Sequence, residues 1–200
     1  MGRDGNPMNI VVFGEHSIDL DLLGTNPVVL DVGCRGFCFG NALRGERPQA
    51  VIHELDIDYL ASSQPYTRAG IAGFTGQTGC SCDEDPPSRH MVPGTEVPCY
   101  TLKDYSSLHG IQQWDAIKLD CEGAEYPILA SFDRAWAKQI SVEFHQHTHC
   151  RRSDQKLKDL MDHLSQWYDV VQHRLESRYD CGPNYWDTLL VARPQFVITP

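Results

Sequence analysis

The sequence predicts an α/β fold with a mostly parallel sheet that closes in an antiparallel hairpin, and three observations carry that prediction. Asp115 to Leu119 is a short run suited to the middle of a parallel sheet, with Asp120 and Glu122 following where such a strand must end. Pro27 to Asp31 is a second such run, which ends on an acid and enters Gly33, Gly36 and Gly40. Tyr168 to Leu175 and Tyr185 to Ala192 are two strands with a turn at Asp180-Cys-Gly-Pro183 and no helix between them, so they pair antiparallel. Ligands of open α/β sheets sit at the carboxyl edge of the strands, which puts Asp31, Asp120 and Glu122 on the ligand side.

The remaining elements follow in chain order. Residues 1–26 form a leader with a short helix expected at His16 to Leu23, set to cap the ligand or pack on the sheet edge. After the first sheet strand, Phe37, Phe39, Ala42 and Leu43 give a helix, and Ala50 to Glu54 gives the next strand, again ending on acid. Ala69 to Phe74 reads as a brief third strand. Gly73 to Gly94, rich in Gly, Cys, Asp and Pro, reads as a loop. Val97 to Leu102 is extended and Leu102 to Ser106 begins a short helical turn. Pro127 is tolerable only in a first helical turn, so a helix starts near Glu125, with Ile128, Leu129, Phe132 and Trp136 at helical spacing. Gln139 to Phe144 is a further buried strand. Ser153 or Asp154 then caps a helix whose Leu157, Leu160, Met161, Leu164, Trp167 and Tyr168 form one apolar stripe.

Composition narrows the function. The chain has 200 residues, enough for one domain, and a formal net charge of −10 with Arg151-Arg152 its one basic doublet, which argues against nucleic acid as a partner. No apolar run reaches the roughly 18 residues that span a bilayer, and no secretory segment is read at MGRDGNPMNI, so a cytoplasmic protein with no membrane partner is expected. The eight cysteines are then expected as thiols. Cys80-Ser-Cys82 with His90 and Cys99 matches none of the common structural zinc spacings, and no metal ligand set is assigned.

Certain residue types at these edges point to chemistry. Asp31 to Glu54 spans 23 residues, close to the roughly 20-residue offset that places a carboxylate on ribose hydroxyls; Asp56 can fill the same role. Gly33 and Gly36 allow positive φ and close ligand approach. Asp120 and Glu122 can polarise an acceptor hydroxyl, help hold a metal, or brace the loop through backbone N–H groups. Glu143, His145, His147 and His149 alternate, so an extended chain points them one way. His145, nearest the strand end, is the first choice for a general base acting as neutral imidazole, with a divalent metal on the histidine run as the alternative. Asn184, Tyr185 and Trp186 are candidates for the walls of an acceptor pocket.

The blocks VVLDVGCRG, AVIHELD, VPCYTLKDY, WDAIKLDCEGAEYPIL, ISVEFHQHTH and WDTLLV, in that order across residues 28–192, resemble those of the FkbM family of S-adenosylmethionine-dependent methyltransferases. The resemblance implies a class I methyltransferase fold: a Rossmann-like three-layer sandwich with a seven-stranded sheet, spanning 27–200 behind the 1–26 leader. It implies S-adenosylmethionine as cofactor and methyl transfer to a hydroxyl of a sugar or natural product; with that cofactor, the edge residues read above become candidate cofactor contacts, Asp31, Gly33, Arg35, Gly36, Glu54, Asp56 and Asp120, and candidate catalytic residues, His145, Asp120 and Glu122. The loop departs from the family pattern, with Gly36 one place early and Phe37 where a glycine is expected. A protein that keeps the fold for binding and has lost the chemistry is the alternative. A nicotinamide dehydrogenase fits less well, because Arg35 breaks GxGxxG.

Overall fold

The computed structural model describes residues 8–57, 64–73, 75–78, 97–121, 123–145, 154–176 and 185–198. The chain opens with β1 (Ile10–Phe13) and β2 (His16–Asp19), then β3 (Val28–Val32), α1 (Cys38–Glu46), β4 (Val51–Asp56), β5 (Thr67–Arg68), β6 (Gly70–Ile71), β7 (Gly76–Thr78) and β8 (Val97–Tyr100). It continues through α2 (Leu102–Leu108), β9 (Ala116–Leu119), α3 (Glu125–Ala130), β10 (Gln139–His145), α4 (Asp154–Leu164), β11 (Tyr168–Glu176) and β12 (Tyr185–Ala192). Seven strands form one sheet in the order β11-β12-β10-β9-β3-β4-β5. The pairs β10/β9, β9/β3, β3/β4 and β4/β5 are parallel, while β12 runs antiparallel to both β10 and β11. This is the mostly parallel seven-stranded α/β sheet with an antiparallel closing pair that the sequence predicts.

Period-2 alternation gives the two faces of the sheet different jobs. Leu30, Val32, Ile117, Leu119, Ile140, Val142 and Phe144 point to one side. There they join Leu102 and Tyr105 of α2, Ile128 and Leu129 of α3, and Leu157, Leu160 and Leu164 of α4 in the larger core. The other face has a small core, Val29 and Ala116 against Phe13, Ile18, Leu20, Leu23, Phe39 and Leu43, and turns polar toward the carboxyl edge. On that side Glu54 pairs with Asp31, Asp31 with Lys118, and Lys118 with Ser141, forming one cross-sheet row.

Several boundaries differ from expectation. The helix expected at His16 to Leu23 is a hairpin strand followed by a 3-10 turn at Leu20–Leu22, because Gly14, at φ +66°, reverses the chain and β-branched Val11, Val12 and Ile18 favour strand. Gln139 pins the hairpin to the sheet: its Oε1 accepts from Asp19 N at 2.8 Å and its Nε2 donates to Asp19 O at 2.9 Å. The third strand is split. β5 pairs with β4, whereas β6 joins β8 and β7 in a separate three-stranded sheet, and Phe74 lies outside the described residues. The helix after β9 stops at Ala130, with Phe132 and Trp136 packing into the core from beyond its end. Likewise α4 ends at Leu164, so Trp167 lies past the helix and Tyr168 opens β11. No helix among the described residues is long and apolar enough to cross a membrane.

His53 supplies a testable pH dependence on the larger core's side. Its ring, half-buried, meets Tyr105, His109 and Trp114 edge-on, and Nδ1 lies 3.2 Å from the Tyr105 hydroxyl. Burial, and then the neighbouring His109, hold its pKa below the ordinary 6.5. The folded state therefore binds this proton less tightly than the unfolded one, so the contribution is complete above pH 6.5 and is lost as pH falls below it. Denaturant unfolding at pH 7 and pH 5 should show a smaller acid loss for His53→Phe than for the parent; equal losses would remove His53 as a cause.

Candidate active site

The polar face ends at the carboxyl edge of β3, β4, β9 and β10. Asp31, 1% exposed, meets the Lys118 ammonium at 3.2 Å, and its second oxygen, Oδ2, has no hydrogen-bond partner among the described residues. Burial raises the Asp31 pKa, with Lys118 opposing. Lys118 also donates to the carbonyls of Val32 and Gly33 and lies 3.7 Å from Asp120 Oδ2. Burial penalises the Lys118 charge, but Asp31 and Asp120 more than offset it and hold the ammonium above its ordinary value.

The loop after β3 is shaped by close approach. A side chain at Gly33, φ +78°, would put its Cβ 1.8 Å from the Asp120 carbonyl oxygen. Phe37 takes the left-handed conformation at φ 56° and ψ 19°, the backbone a glycine would readily supply there. Holding a non-glycine residue in that region costs about 1–2 kcal/mol; the Phe37 ring is buried and packs against Tyr66, which offsets it. No side chain among the described residues caps α1, which suits its first N–H groups to a ligand at the loop. Cys34, buried in the loop, is pushed far above ordinary thiol values by burial and then by Asp31, Asp56 and Glu54, which makes it inert. Arg35 is exposed.

Glu54 and Asp56 separate in role. Arg44 grips Glu54 with two bonds, Nη1 to Oε1 at 3.0 Å and Nη2 to Oε2 at 2.7 Å. Gly40 makes this possible, since a Cβ there would lie 2.1 Å from Glu54 Oε1. Asp56, also buried, ends β4 beside the glycine loop, whose Gly33 and Cys34 amides donate to Leu55 O.

At the β9 and β10 edge, three acids and two histidines meet. Asp120, its side chain 32% exposed, lies 3.6 Å from His16 Nε2 through Oδ2 and 3.6 Å from His145 Nε2 through Oδ1. Burial works to raise the Asp120 pKa, but Lys118, His16 and His145 together hold it well below the carboxylate range. His145 is buried, with Nδ1 2.8 Å from Glu125 Oε1 and Nε2 3.3 Å from Glu143 Oε1. Burial opposes its charge, but Glu125, Glu143 and Asp120 outweigh it and the pKa rises well above 6.5. These carboxylates favour the protonated ring, against the neutral imidazole expected from sequence. Glu143 and His145 do share one face; His147 and His149 lie outside the described residues, as do Cys80, Cys82, His90 and Glu122.

Four residues of this constellation were not singled out in the sequence. Glu125, wholly buried, accepts from Cys121 N and Gly123 N, both at 2.8 Å, and orients His145. The others are His16 from the leader hairpin, Lys118 and Arg44. One signal was present: Gln139, Ser141, Glu143 and His145 alternate with Ile140, Val142 and Phe144, yet every residue of β10 is buried. A buried strand with a polar face must be covered by polar partners, and β2 covers it, His16 Nδ1 lying 3.3 Å from Ser141 Oγ. Trp186 stacks on His173 at 4.2 Å; Asn184 lies outside the described residues.

A family model described as the methyltransferase FkbM domain matches residues 56–173, more than half of the sequence. The chain belongs to the FkbM methyltransferase family. Among curated proteins no relative matches. Solved structures with a similar fold include M. capricolum TrmK in complex with S-adenosyl-homocysteine, with 12% identity over 88% of this chain and 69% of that one at a TM-score of 0.47. A fibrillarin/Nop5p complex shares 12% identity over 83% and 73% at 0.45. The Burkholderia thailandensis 1,6-didemethyltoxoflavin-N1-methyltransferase shares 12% over 85% and 72% at 0.39. Likenesses this distant say nothing about what an FkbM-family chain acts on.

Within this FkbM-family chain, the glycine loop fits an S-adenosylmethionine-type ligand on one structural observation: a buried carboxylate oxygen, Asp31 Oδ2, lacks a partner among the described residues beside a loop of positive-φ residues. A ligand ammonium is the complementary group.

Proposed function

We propose that this chain is an S-adenosylmethionine-dependent O-methyltransferase acting on a small-molecule or sugar hydroxyl, with residues 27–200 as the catalytic domain and 1–26 as its cap. The observation that carries the reading is the buried, half-satisfied Asp31 carboxylate at the glycine loop, one strand away from the Asp120 and His145 edge. When bound, the cofactor supplies a methyl group already activated on a sulfonium, so the chain's residues have only to align the acceptor and remove its proton.

In this reading Asp31 receives the ammonium of the cofactor, and Gly33, Arg35 and Gly36 form the loop around its amino-acid end. Asp56 receives the ribose hydroxyls, with Glu54 as the second candidate, because both Glu54 oxygens are held by Arg44 whereas Asp56 lies nearer the ligand edge. Asp120 and His145 face the acceptor, and Glu125 fixes His145 so that Nε2 points to that edge. His145 serves as base only after losing the proton its three carboxylates favour. Glu122 keeps the catalytic role proposed from sequence. A net charge of −10 favours an acceptor other than nucleic acid.

Calorimetric titration with S-adenosylhomocysteine tests the reading. Saturable binding is expected, weakened by Asp56→Asn by about 1–3 kcal/mol for lost charged hydrogen bonds. Glu54→Gln should lower the melting temperature more than it lowers affinity, since it loosens α1. No binding by the folded parent sinks the cofactor assignment, and a larger affinity loss in Glu54→Gln returns the ribose role to Glu54.

A further inference from the structure

We infer that His16, Asp120 and Glu143 form a binding site for a divalent first-row ion of the manganese, iron(II) or zinc class. One ligand atom from each lies within 4.8 Å of the others. The spacing decides between a bonded cluster and a shared ion. His16 Nε2 to Asp120 Oδ2 is 3.6 Å, too long for a direct hydrogen bond. It is close to the ~3.0–3.5 Å that separates neighbouring ligand atoms around one ion at bond lengths of ~2.0–2.2 Å.

The surroundings match a coordination site as well. His16 reaches Ser141 through Nδ1 at 3.3 Å, which leaves Nε2 to face Asp120; a metal-ligating imidazole is commonly fixed in this way by its other nitrogen. His16 and Glu143 are 5% and 3% exposed, whereas Asp120 is the accessible member, so an ion has a way in. Asp31 and Asp120 lie against the Lys118 ammonium, and Glu125, Glu143 and Asp120 against the His145 ring, so four carboxylates face two basic side chains and negative charge is left for a cation to neutralise. One imidazole with two carboxylates suits manganese, iron(II) or zinc, and the absence of a thiolate among the three disfavours copper(I). His145 stays outside the ligand set, beside both carboxylates. The site stands on these residues whether or not the chain transfers methyl groups. Its catalytic consequence, which rests on the methyltransferase reading, is an ion at the acceptor edge that lowers the acceptor hydroxyl's pKa, the proton leaving to water.

Full-length, chelator-stripped protein titrated with Mn2+ alone, with free ion followed by its electron paramagnetic resonance signal, tests the proposal. The expected result is one ion per chain, with affinity at least about tenfold weaker in His16→Gln and in Glu143→Gln. Thermal unfolding of each variant shows whether it is folded, and Asp120→Asn, at the more exposed position, replaces either one that is not. No stoichiometric uptake at about 1 mM Mn2+ overturns the site, as does uptake that all folded variants retain. Cofactor binding is read separately by S-adenosylhomocysteine titration without metal, so a failure of either reading is told from a failure of the other.

Discussion

Replacing Lys118 by methionine should destabilise the fold by about 3–5 kcal/mol, the range for removing one partner of a buried ion pair. The Lys118 side chain is 5% exposed and its ammonium is the charge nearest Asp31, which is 1% exposed. Without it, Asp31 keeps a buried carboxylate with neither solvent nor counter-ion, and Asp120 loses the ammonium 3.7 Å from its Oδ2. The pair is not expected to be worth 3–5 kcal/mol in itself, since desolvation offsets most of the attraction; the loss comes from the orphaned charge. Two consequences separate this account from a packing defect. The deficit should shrink at acid pH, because Asp31, already raised by burial, takes up a proton and ceases to be a buried charge. A Lys118→Met, Asp31→Asn double variant should recover much of the loss. Urea unfolding at neutral and acid pH checks both, and a neutral-pH loss below about 1 kcal/mol would show that Asp31 finds another way to be neutralised.

Lys118 also marks where the sequence was legible and where it was not. The strand that carries it was read as a buried run, and it is one; the lysine inside the run was the sign of a buried partner. That partner, Asp31, had been singled out for its place at a strand end, but only the β3/β9 register sets the two side by side on one face. The same limit hid His16. Nothing local distinguishes it, and its role depends on a leader that folds as a hairpin over β10. Glu125 was read as a helix start, which it is, and its reach back to the Cys121 and Gly123 amides and across to His145 is a tertiary fact. Glu54 shows the converse. Its spacing from Asp31 met the ribose expectation, yet Arg44 ten residues earlier, on the facing helix, grips both its oxygens. The buried strands, the closing hairpin and the glycine loop were legible because periodicity and turn residues encode them locally. Partners across the sheet were not.

Gly33→Ala should cost far more than a methyl group added at Gly14 or Gly36, which also sit at positive φ. Two effects add at this position. The backbone sits at φ +78°, where a side chain costs about 1–2 kcal/mol. The new Cβ would also lie 1.8 Å from the Asp120 carbonyl oxygen and 2.8 Å from its carbon, both backbone atoms that cannot rotate away. Relief requires the ends of β3 and β9 to part. Those ends carry Asp31, Lys118 and Asp120, and the Gly33 amide that donates to Leu55 O at 2.9 Å ties β4 into the same corner. The expected loss is about 3 kcal/mol or more, above the conformational term alone. Gly14→Ala is the control: φ is similar at +66°, but none of the described residues lies within 4 Å of the added Cβ, so it should lose only the 1–2 kcal/mol of the backbone. Gly36→Ala, at φ +80° with only Cys38 Sγ near, at 3.8 Å, should behave like Gly14→Ala in stability. It should still weaken S-adenosylhomocysteine binding if the loop holds the cofactor. Parallel urea titrations of the three variants decide the matter, because equal losses at Gly33 and Gly14 would mean that the β3 and β9 ends are not locked together and that the loop owes its shape to φ alone.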